Sequence, residues 1–305
     1  MSERYPTIRI HAQSGKILIR DGLSICFYMR RQHREIAQGV MRALETYSRA
    51  VEPATLGWYA DDEGDWQELD EAGQTHIQNR MQGSSPLITL SETPRGADAY
   101  QFEYLGKNLE SPLFVNNPHA VCALEFWLPT DFLEERGPAQ VRELALALAA
   151  SVPFDSGHVS LSLNALHPLT GVSDELRRLR LRYPGMDTHE LGHLGLHIGT
   201  RIRGPHWLTF LGPSVLGELG GAQGLRSRLP SQDISVQALD GQRALVTLGE
   251  WPESGDTTQG HTLPLHRELA RVLEPWLYHP PPLRDPVASA DTLRWERRFL
   301  DASFR

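Results

Sequence analysis

Residues 121–129 read Val-Cys-Ala-Leu-Glu-Phe-Trp-Leu-Pro, and every side chain before the proline except Glu125 is apolar. The predicted strand runs from Ala120 to Leu128, and with this composition it is covered on both faces, which predicts a place in the middle of a sheet. Helical patterns flank it. Apolar residues recur at spacings of three and four from Arg34 to Val51, and Pro138 suits the first position of a helix that runs through Ala150.

The remaining segments alternate between strands and helices. Further strands are predicted over Leu56 to Ala60, Pro86 to Leu90, Tyr100 to Leu105, Val159 to Leu166, Trp207 to Leu211 and Ser214 to Leu219. Further helices are predicted over Asp70 to Met81 with Asp70 as the cap, Asp174 to Leu181, Leu265 to Leu277 and Ser289 to Leu300. Because Asp-Gly between apolar runs favours a tight turn, hairpins are predicted over Lys16 to Arg30 and Ile234 to Leu248. The predicted class is α+β, with a mainly antiparallel sheet and flanking helices.

The order of these elements bears on domain organisation. Each half of the chain has an Asp-Gly hairpin followed by an amphipathic helix, a pattern that can be read as two similar halves. No linker or low-complexity tract separates them, so we predict a single domain over residues 1–305. Sub-lobes over 1–200 and 201–305 are the alternative, with a seam in the glycine-rich stretch from Gly204 to Gly224.

Composition excludes several classes of protein. The 305 residues carry 38 acidic and 30 basic side chains, a net charge of −8, so phosphate would be repelled and direct nucleic-acid binding is not expected. No apolar run reaches the roughly 18 residues that a membrane-spanning helix needs. The N-terminus lacks a signal-peptide pattern, and Cys26 and Cys122 lie in apolar runs. A reducing cytoplasm is therefore the predicted location.

One stretch, His189-Glu190-Leu191-Gly192-His193, matches the His-Glu-x-x-His pattern of zinc hydrolases. On a helix the two histidines would share a face and bind zinc, with Glu190 as general base. A metzincin needs a third histidine ten residues after the first, where Gly199 stands, and a downstream methionine, which is lacking. We therefore predict no metal and no cofactor, and keep a zinc-dependent hydrolase that uses His189, Glu190 and His193 as an alternative.

Charge is concentrated in one segment. Between Glu52 and Asn79 there is no lysine or arginine, and aromatic residues are interleaved with the acids. Clustered acids speed encounter with a basic protein, and tryptophan and tyrosine are enriched at the energetic centre of interfaces. A solvated acidic hairpin is the competing interpretation. The predicted partner-binding residues are Trp58, Tyr59, Asp61, Asp62, Glu63, Asp65, Trp66 and Glu68.

Several collinear stretches together resemble a known family. They are Leu56-Gly57-Trp58-Tyr59 with the acidic turn and Trp66, the strand at 121–129, Val141-Arg142-Glu143-Leu144-Ala145, Arg182-Tyr183-Pro184-Gly185, Ile198-Gly199-Thr200-Arg201, Trp207-Leu208-Thr209-Phe210-Leu211-Gly212, Leu248-Gly249-Glu250-Trp251-Pro252 and Trp295-Glu296-Arg297-Arg298-Phe299. The chain resembles the bacterial type VI secretion immunity family over nearly its whole length, from about Gly15 to Asp301.

This resemblance implies a cytoplasmic, non-enzymatic protein that binds and neutralises a cognate antibacterial effector. In the family such effectors include nucleases, and inhibition would occur by covering the active site. The family supplies no catalytic residues to carry over. The expected partner is thus a toxin, a basic nuclease by our inference from the acidic segment. An effector adaptor or chaperone is a further alternative, and the oligomeric state is left open.

Overall fold

The computed structural model describes residues 5–94, 97, 100–165, 171–188, 190–282 and 286–301. The strands within them are β1 (Arg9–His11), β2 (Ile17–Met29), β3 (Trp58–Ala60), β4 (Trp66–Glu68), β5 (Leu87–Ser91), β6 (Gln101–Leu105), β7 (Cys122–Pro129), β8 (Ser156–Ala165), β9 (Met186–Thr188), β10 (Leu208–Leu211), β11 (Ile234–Ala238) and β12 (Ala244–Leu248). The helices are α1 (His33–Ala50), α2 (Glu71–Met81), α3 (Thr130–Ser151), α4 (Val172–Arg182), α5 (Leu191–His197), α6 (Pro213–Glu218), α7 (Gly221–Ser227), α8 (Pro264–Leu273) and α9 (Pro286–Glu296).

All twelve strands belong to one sheet, whose main order is β11-β12-β10-β8-β2-β7-β6-β5-β3-β4. Strands β1 and β9 pair with β2 and β8 outside this order. Among the described pairs only β8 and β9 run parallel, so the predicted α+β class with a mainly antiparallel sheet is confirmed. Strand β7 is buried along its whole length between β2 and β6, as residues 121–129 predicted.

The helices cover the two faces of the sheet unequally. Helices α1 and α3 pack on one face, where their apolar residues meet side chains such as Phe102 and Phe126 in the largest cluster of the core. Helix α3 contains a break at Gly137, whose φ of 77° is left-handed, and Pro138 starts its second part as predicted. The opposite face of β7 is covered by α5. Helices α6, α7 and α8 share a second cluster with β10–β12.

The predicted hairpin over Lys16 to Arg30 is wrong, because these residues form the single 13-residue strand β2. Asp21 lies buried, where its carboxylate accepts the amide of Ile8 at 2.6 Å. A Cβ on Gly22 would lie 2.6 Å from the Nδ2 of Asn164, so glycine here permits close approach of a neighbouring strand rather than a turn. Without this hairpin, the pattern that suggested two similar halves is absent.

A second correction concerns Ser214 to Leu219, predicted as a strand and found to be helix α6. Pro213 occupies its first turn, where a fixed φ and a missing N–H suit a helix start. The second hairpin is confirmed, with β11 and β12 joined through Asp240-Gly241. Helix α2 is confirmed too, and the Asp70 carboxylate caps it by accepting the Gly73 amide at 2.8 Å. No helix of the described residues combines the length and apolarity that crossing a bilayer requires.

Candidate partner-binding site

The acidic segment folds into a β-hairpin, formed by β3, the turn 61–65 and β4. Because β4 is the last strand in the sheet order, this acidic hairpin lies at the sheet edge. Strand β3 is anchored on its other side by pairing with β5. The turn is therefore held at the edge of the sheet by the pairing of β3 with β5.

Asp61 maintains the shape of the turn. One carboxylate oxygen accepts the amides of Glu63 at 3.1 Å and Asp65 at 2.8 Å, and the other accepts the Gln67 side-chain amide at 2.8 Å. These hydrogen bonds, that from Gln67 first, lower the pKa of Asp61 because they favour its charged form. Asp61 is thus a structural residue of the hairpin, and its charge is already engaged within the chain.

The other acids differ in what they offer a partner. Asp62 forms an ion pair with Arg80 of α2, with an N···O distance of 3.0 Å. Glu63, Asp65 and Glu68 are exposed, and no ion pair of theirs is present within the described part of the chain. Three negative charges therefore stand free on this hairpin.

The strand register separates the three aromatic residues. Trp58 pairs with Glu68 and Ala60 pairs with Trp66, so both tryptophans lie on one face of the hairpin with Glu68. Tyr59 points to the opposite face, where its ring lies 5.1 Å from that of His76 in α2. All three rings are half-buried. The structure thus brings Trp58, Trp66 and Glu68 together and assigns Tyr59 to support of α2.

The His-Glu-x-x-His stretch lies elsewhere, on the face of the sheet covered by α5. His189 falls outside the described residues. Helix α5 begins only at Leu191, and Glu190 before it has non-helical dihedral angles. Glu190 interacts with Arg203, at an N···O distance of 3.7 Å, and with Arg180 at 3.6 Å. The His193 Nε2 lies 2.9 Å from the Tyr278 hydroxyl. Glu190 and His193 thus both have partners within the chain.

A buried polar network that the sequence analysis did not identify lies beside this stretch. Asp187 is fully buried and faces the Arg203 guanidinium at 3.0 Å, while its other oxygen lies 2.9 Å from the Nε2 of His158 and 3.5 Å from that of His206. Burial opposes ionisation of Asp187, but Arg203 and the two histidines hold its pKa well below the ordinary value. Burial lowers the pKa of His206 to about 3.

His158, Asp187 and His206 have the donor atoms of a metal site, but their arrangement fits a charge-balanced network better. The two rings are stacked with centroids 4.0 Å apart, whereas two imidazoles on one tetrahedral zinc ion have centroids about 5 Å apart. Asp187 is already neutralised by Arg203. The ion pairs continue from Arg203 to Glu190 and from Glu190 to Arg180, and the charges of Arg203 and Arg298 act on the buried Glu296 nearby.

The sequence of β8 contains a pattern from which this buried network could have been predicted. In β8, polar residues alternate at His158, Ser160, Ser162 and Asn164, which places them on one face of the strand. The whole strand is nevertheless buried. A polar face on a central strand requires polar partners from elsewhere, here β9 and the segment 203–206.

Comparison with known proteins identifies the fold and the family. The chain matches the family model TsiV, described as type VI immunity for VRR-NUC, over residues 39–299. The chain belongs to the TsiV family. A solved structure described as the Pseudomonas aeruginosa T6SS protein PA0821 has the same fold, with a TM-score of 0.79 at 18% identity, over 95% of this chain and 87% of that chain. No curated protein matches this chain.

Membership of the TsiV family confirms the predicted resemblance. The chain is a type VI secretion immunity protein, and it is not an enzyme. The networks around Glu190 and Asp187 accordingly belong to the architecture of an immunity protein. The family model begins inside α1 and ends after α9, so it includes the acidic hairpin as well as the buried network.

Proposed function

We propose that this TsiV-family protein binds a nuclease effector in the cytoplasm and occludes its active site with the acidic hairpin. The family description names a VRR-NUC partner class. The observation that supports the hairpin as the contact is its set of three free carboxylates, on Glu63, Asp65 and Glu68, beside two half-buried tryptophans at an open sheet edge.

The chemistry of a nuclease explains why such a surface would serve. A nuclease must grip phosphate, so its substrate cleft carries lysine and arginine. Carboxylates spaced along a rigid hairpin would occupy those cationic positions in place of phosphates. Tryptophan side chains would exclude water around the contact and strengthen the charge pairing. Long-range attraction would also raise the association rate, and salt would screen it.

The test uses two variants with the same change in charge. The hairpin variant carries Glu63→Gln, Asp65→Asn and Glu68→Gln. The control carries Glu143→Gln, Asp233→Asn and Glu253→Gln, which are exposed in other parts of the chain. Binding to a VRR-NUC effector nuclease, the partner class in the family description, is measured by surface plasmon resonance at two salt concentrations. We expect the hairpin variant to associate at least about tenfold more slowly at low salt, with a weaker dependence on salt, and the control to match the wild type.

Growth of cells that express the same nuclease supplies the functional readout. We expect wild type and control to restore growth and the hairpin variant to protect less well. Equal protection and equal kinetics for both variants would contradict the hairpin as the interface. A wild-type complex that forms but retains full nuclease activity would instead support the adaptor or chaperone alternative.

A further inference from the structure

Helix α5 carries a pair of histidines that lies apart from the acidic hairpin. Leu191, Leu194 and Ile198 face the sheet and are buried against it. His193 and His197 are half-buried on the other side of the helix. Because they are four residues apart in a helix, they lie one above the other on the same face.

The spacing of the two rings suits a shared ion. Their centroids are 4.7 Å apart and the planes are inclined by 48°. A zinc ion binds imidazole nitrogen at about 2.0–2.1 Å, which separates two ligating rings by about 5 Å between centroids. The pair therefore needs little movement to hold one ion, unlike the stacked rings of the buried network.

A third imidazole comes from the loop before β7. The carbonyl oxygen of His119 accepts the amide of Gly199 at 2.9 Å, which ties this loop to the end of α5. The His119 side chain is exposed, and its Nδ1 would lie 3.1 Å from a Cβ placed on Gly199. The His119 ring therefore lies beside the end of α5, and its exposed side chain has to turn towards His197 to share an ion with it.

Tyr278 orients the first histidine of the pair. Its hydroxyl lies 2.9 Å from the Nε2 of His193. When Nε2–H donates to that oxygen, the Nδ1 lone pair is left for a metal, as in zinc sites where a hydrogen bond to the far nitrogen fixes the tautomer. Glu190 is engaged with Arg203 and Arg180, so no general base accompanies this site.

We propose that the pair His193 and His197 binds a zinc-class divalent transition-metal ion at the surface of α5, and that the exposed side chain of His119 turns in as a third ligand. Neutral imidazoles favour Zn²⁺, Ni²⁺ and Cu²⁺ over Mg²⁺ and Ca²⁺. The remaining coordination position faces solvent, where it takes water or a donor side chain of a bound protein. The site is separate from the acidic hairpin and does not depend on it.

The experiment titrates the full chain, without a histidine tag, with zinc chloride by isothermal calorimetry. We expect one zinc ion per chain. The double variant His193→Gln, His197→Gln should lower the affinity at least about tenfold, and His119→Ala should lower it by a smaller factor. His261→Ala, which removes an exposed histidine outside the site, is the matched control and should leave affinity unchanged.

Broadening of histidine ring signals by Cu²⁺ in NMR spectra of the wild type provides a readout that needs no variant. We expect the three proposed ligands to broaden first. Absence of zinc binding in the wild type overturns the proposal. So does zinc affinity that survives in a double variant with wild-type circular dichroism, because the ion would then lie elsewhere.

Discussion

At the scale of single residues, the structure depends on buried charges that satisfy one another. Asp187 and Arg203 are both fully buried, and each is the other's main counter-charge. Burial of either charge alone would be far more costly than burial of the pair. The folded state therefore requires both charges together, but the pair adds little net stability.

Removal of one member should therefore cost more than removal of the pair. We expect Arg203→Met to lower the free energy of unfolding by about 3–5 kcal/mol, because Asp187 is left as an uncompensated buried charge. The double variant Arg203→Met, Asp187→Asn should lose less. Urea unfolding measures the free energy of unfolding of Arg203→Met, of Asp187→Asn and of the double variant. A loss in the double variant equal to the sum of the two single losses would contradict this coupling.

Gly22 supports a second prediction at this scale. A Cβ there would meet Asn164 at 2.6 Å and the Leu128 carbonyl oxygen at 2.8 Å, and the carbonyl cannot rotate away. We expect Gly22→Ala to destabilise the protein by about 1–3 kcal/mol, typical of overpacking. Gly57→Ala, with no atom within 4 Å of the added group, is the control and should stay near the wild type in the same unfolding assay.

At the scale of elements, helix α8 contains a buried titratable group. His266 is buried, with its ring 5.0 Å from that of Phe299, and burial followed by the nearby Arg298 charge lowers the pKa of His266 to about 3. Burial lowers the pKa of His206 in the same way. Since each ring must remain neutral in the folded state, protonation favours unfolding. Glu296 acts in the opposite sense, because burial raises its pKa to about 7.

The sign of the pH dependence follows for His266. The contribution of the neutral His266 ring to the free energy of unfolding is fully present above its ordinary pKa of 6.5. It is lost as the pH falls towards about 3. Within that range we expect the stability of His266→Leu to fall less steeply than that of the wild type, by about 1.4 kcal/mol per pH unit. The difference between the two proteins in urea unfolding isolates this residue from Glu296. Parallel curves would show that His266 titrates normally.

At the scale of the whole molecule, one sheet joins the two predicted sub-lobes. Strand β8 from the first part pairs with β2 on one side and with β10 from the second part on the other. Residues 201–305 also supply Arg203 and Glu296 to the buried network around Asp187. The pairing thus favours the predicted single domain, since the largest apolar cluster draws residues from both parts, although the second part also has a cluster of its own.

Cooperative unfolding tests that single domain. We expect far-ultraviolet and near-ultraviolet circular dichroism to report one coincident transition in urea, because loss of β10 exposes the edge of β8. The seven tryptophans give a fluorescence signal that should follow the same curve. Two separated transitions would instead indicate that residues 1–200 and 201–305 unfold independently.

The sequence predicted best the features that depend on local pattern. The apolar run around Glu125 and the Asp70 cap need only neighbouring residues, and both are confirmed. The turn predicted at Asp21-Gly22 is wrong because the turn signal depends only on neighbouring residues. The contacts of Gly22 with Leu128 and Asn164, which favour a continuous strand, come from distant parts of the chain. The acidic hairpin was recognised as a unit. Which of its charges remain free depends on Arg80 and on the geometry of the turn, and neither is visible in the spacing of the acids.

The central position of β2 has a consequence for the nascent chain. Ile19 pairs with Ala165, so this edge of β2 has to wait for a neighbour that is synthesised 146 residues later. At about 5–20 residues per second, a ribosome needs roughly 7 to 30 seconds to bridge that gap. Throughout this interval the edge of β2 that pairs with β8 lacks its partner, even after β1 and β7 have paired along the other edge. Newly made immunity protein would therefore draw on chaperones, and a cell's protection would rest on molecules folded before the toxin arrives.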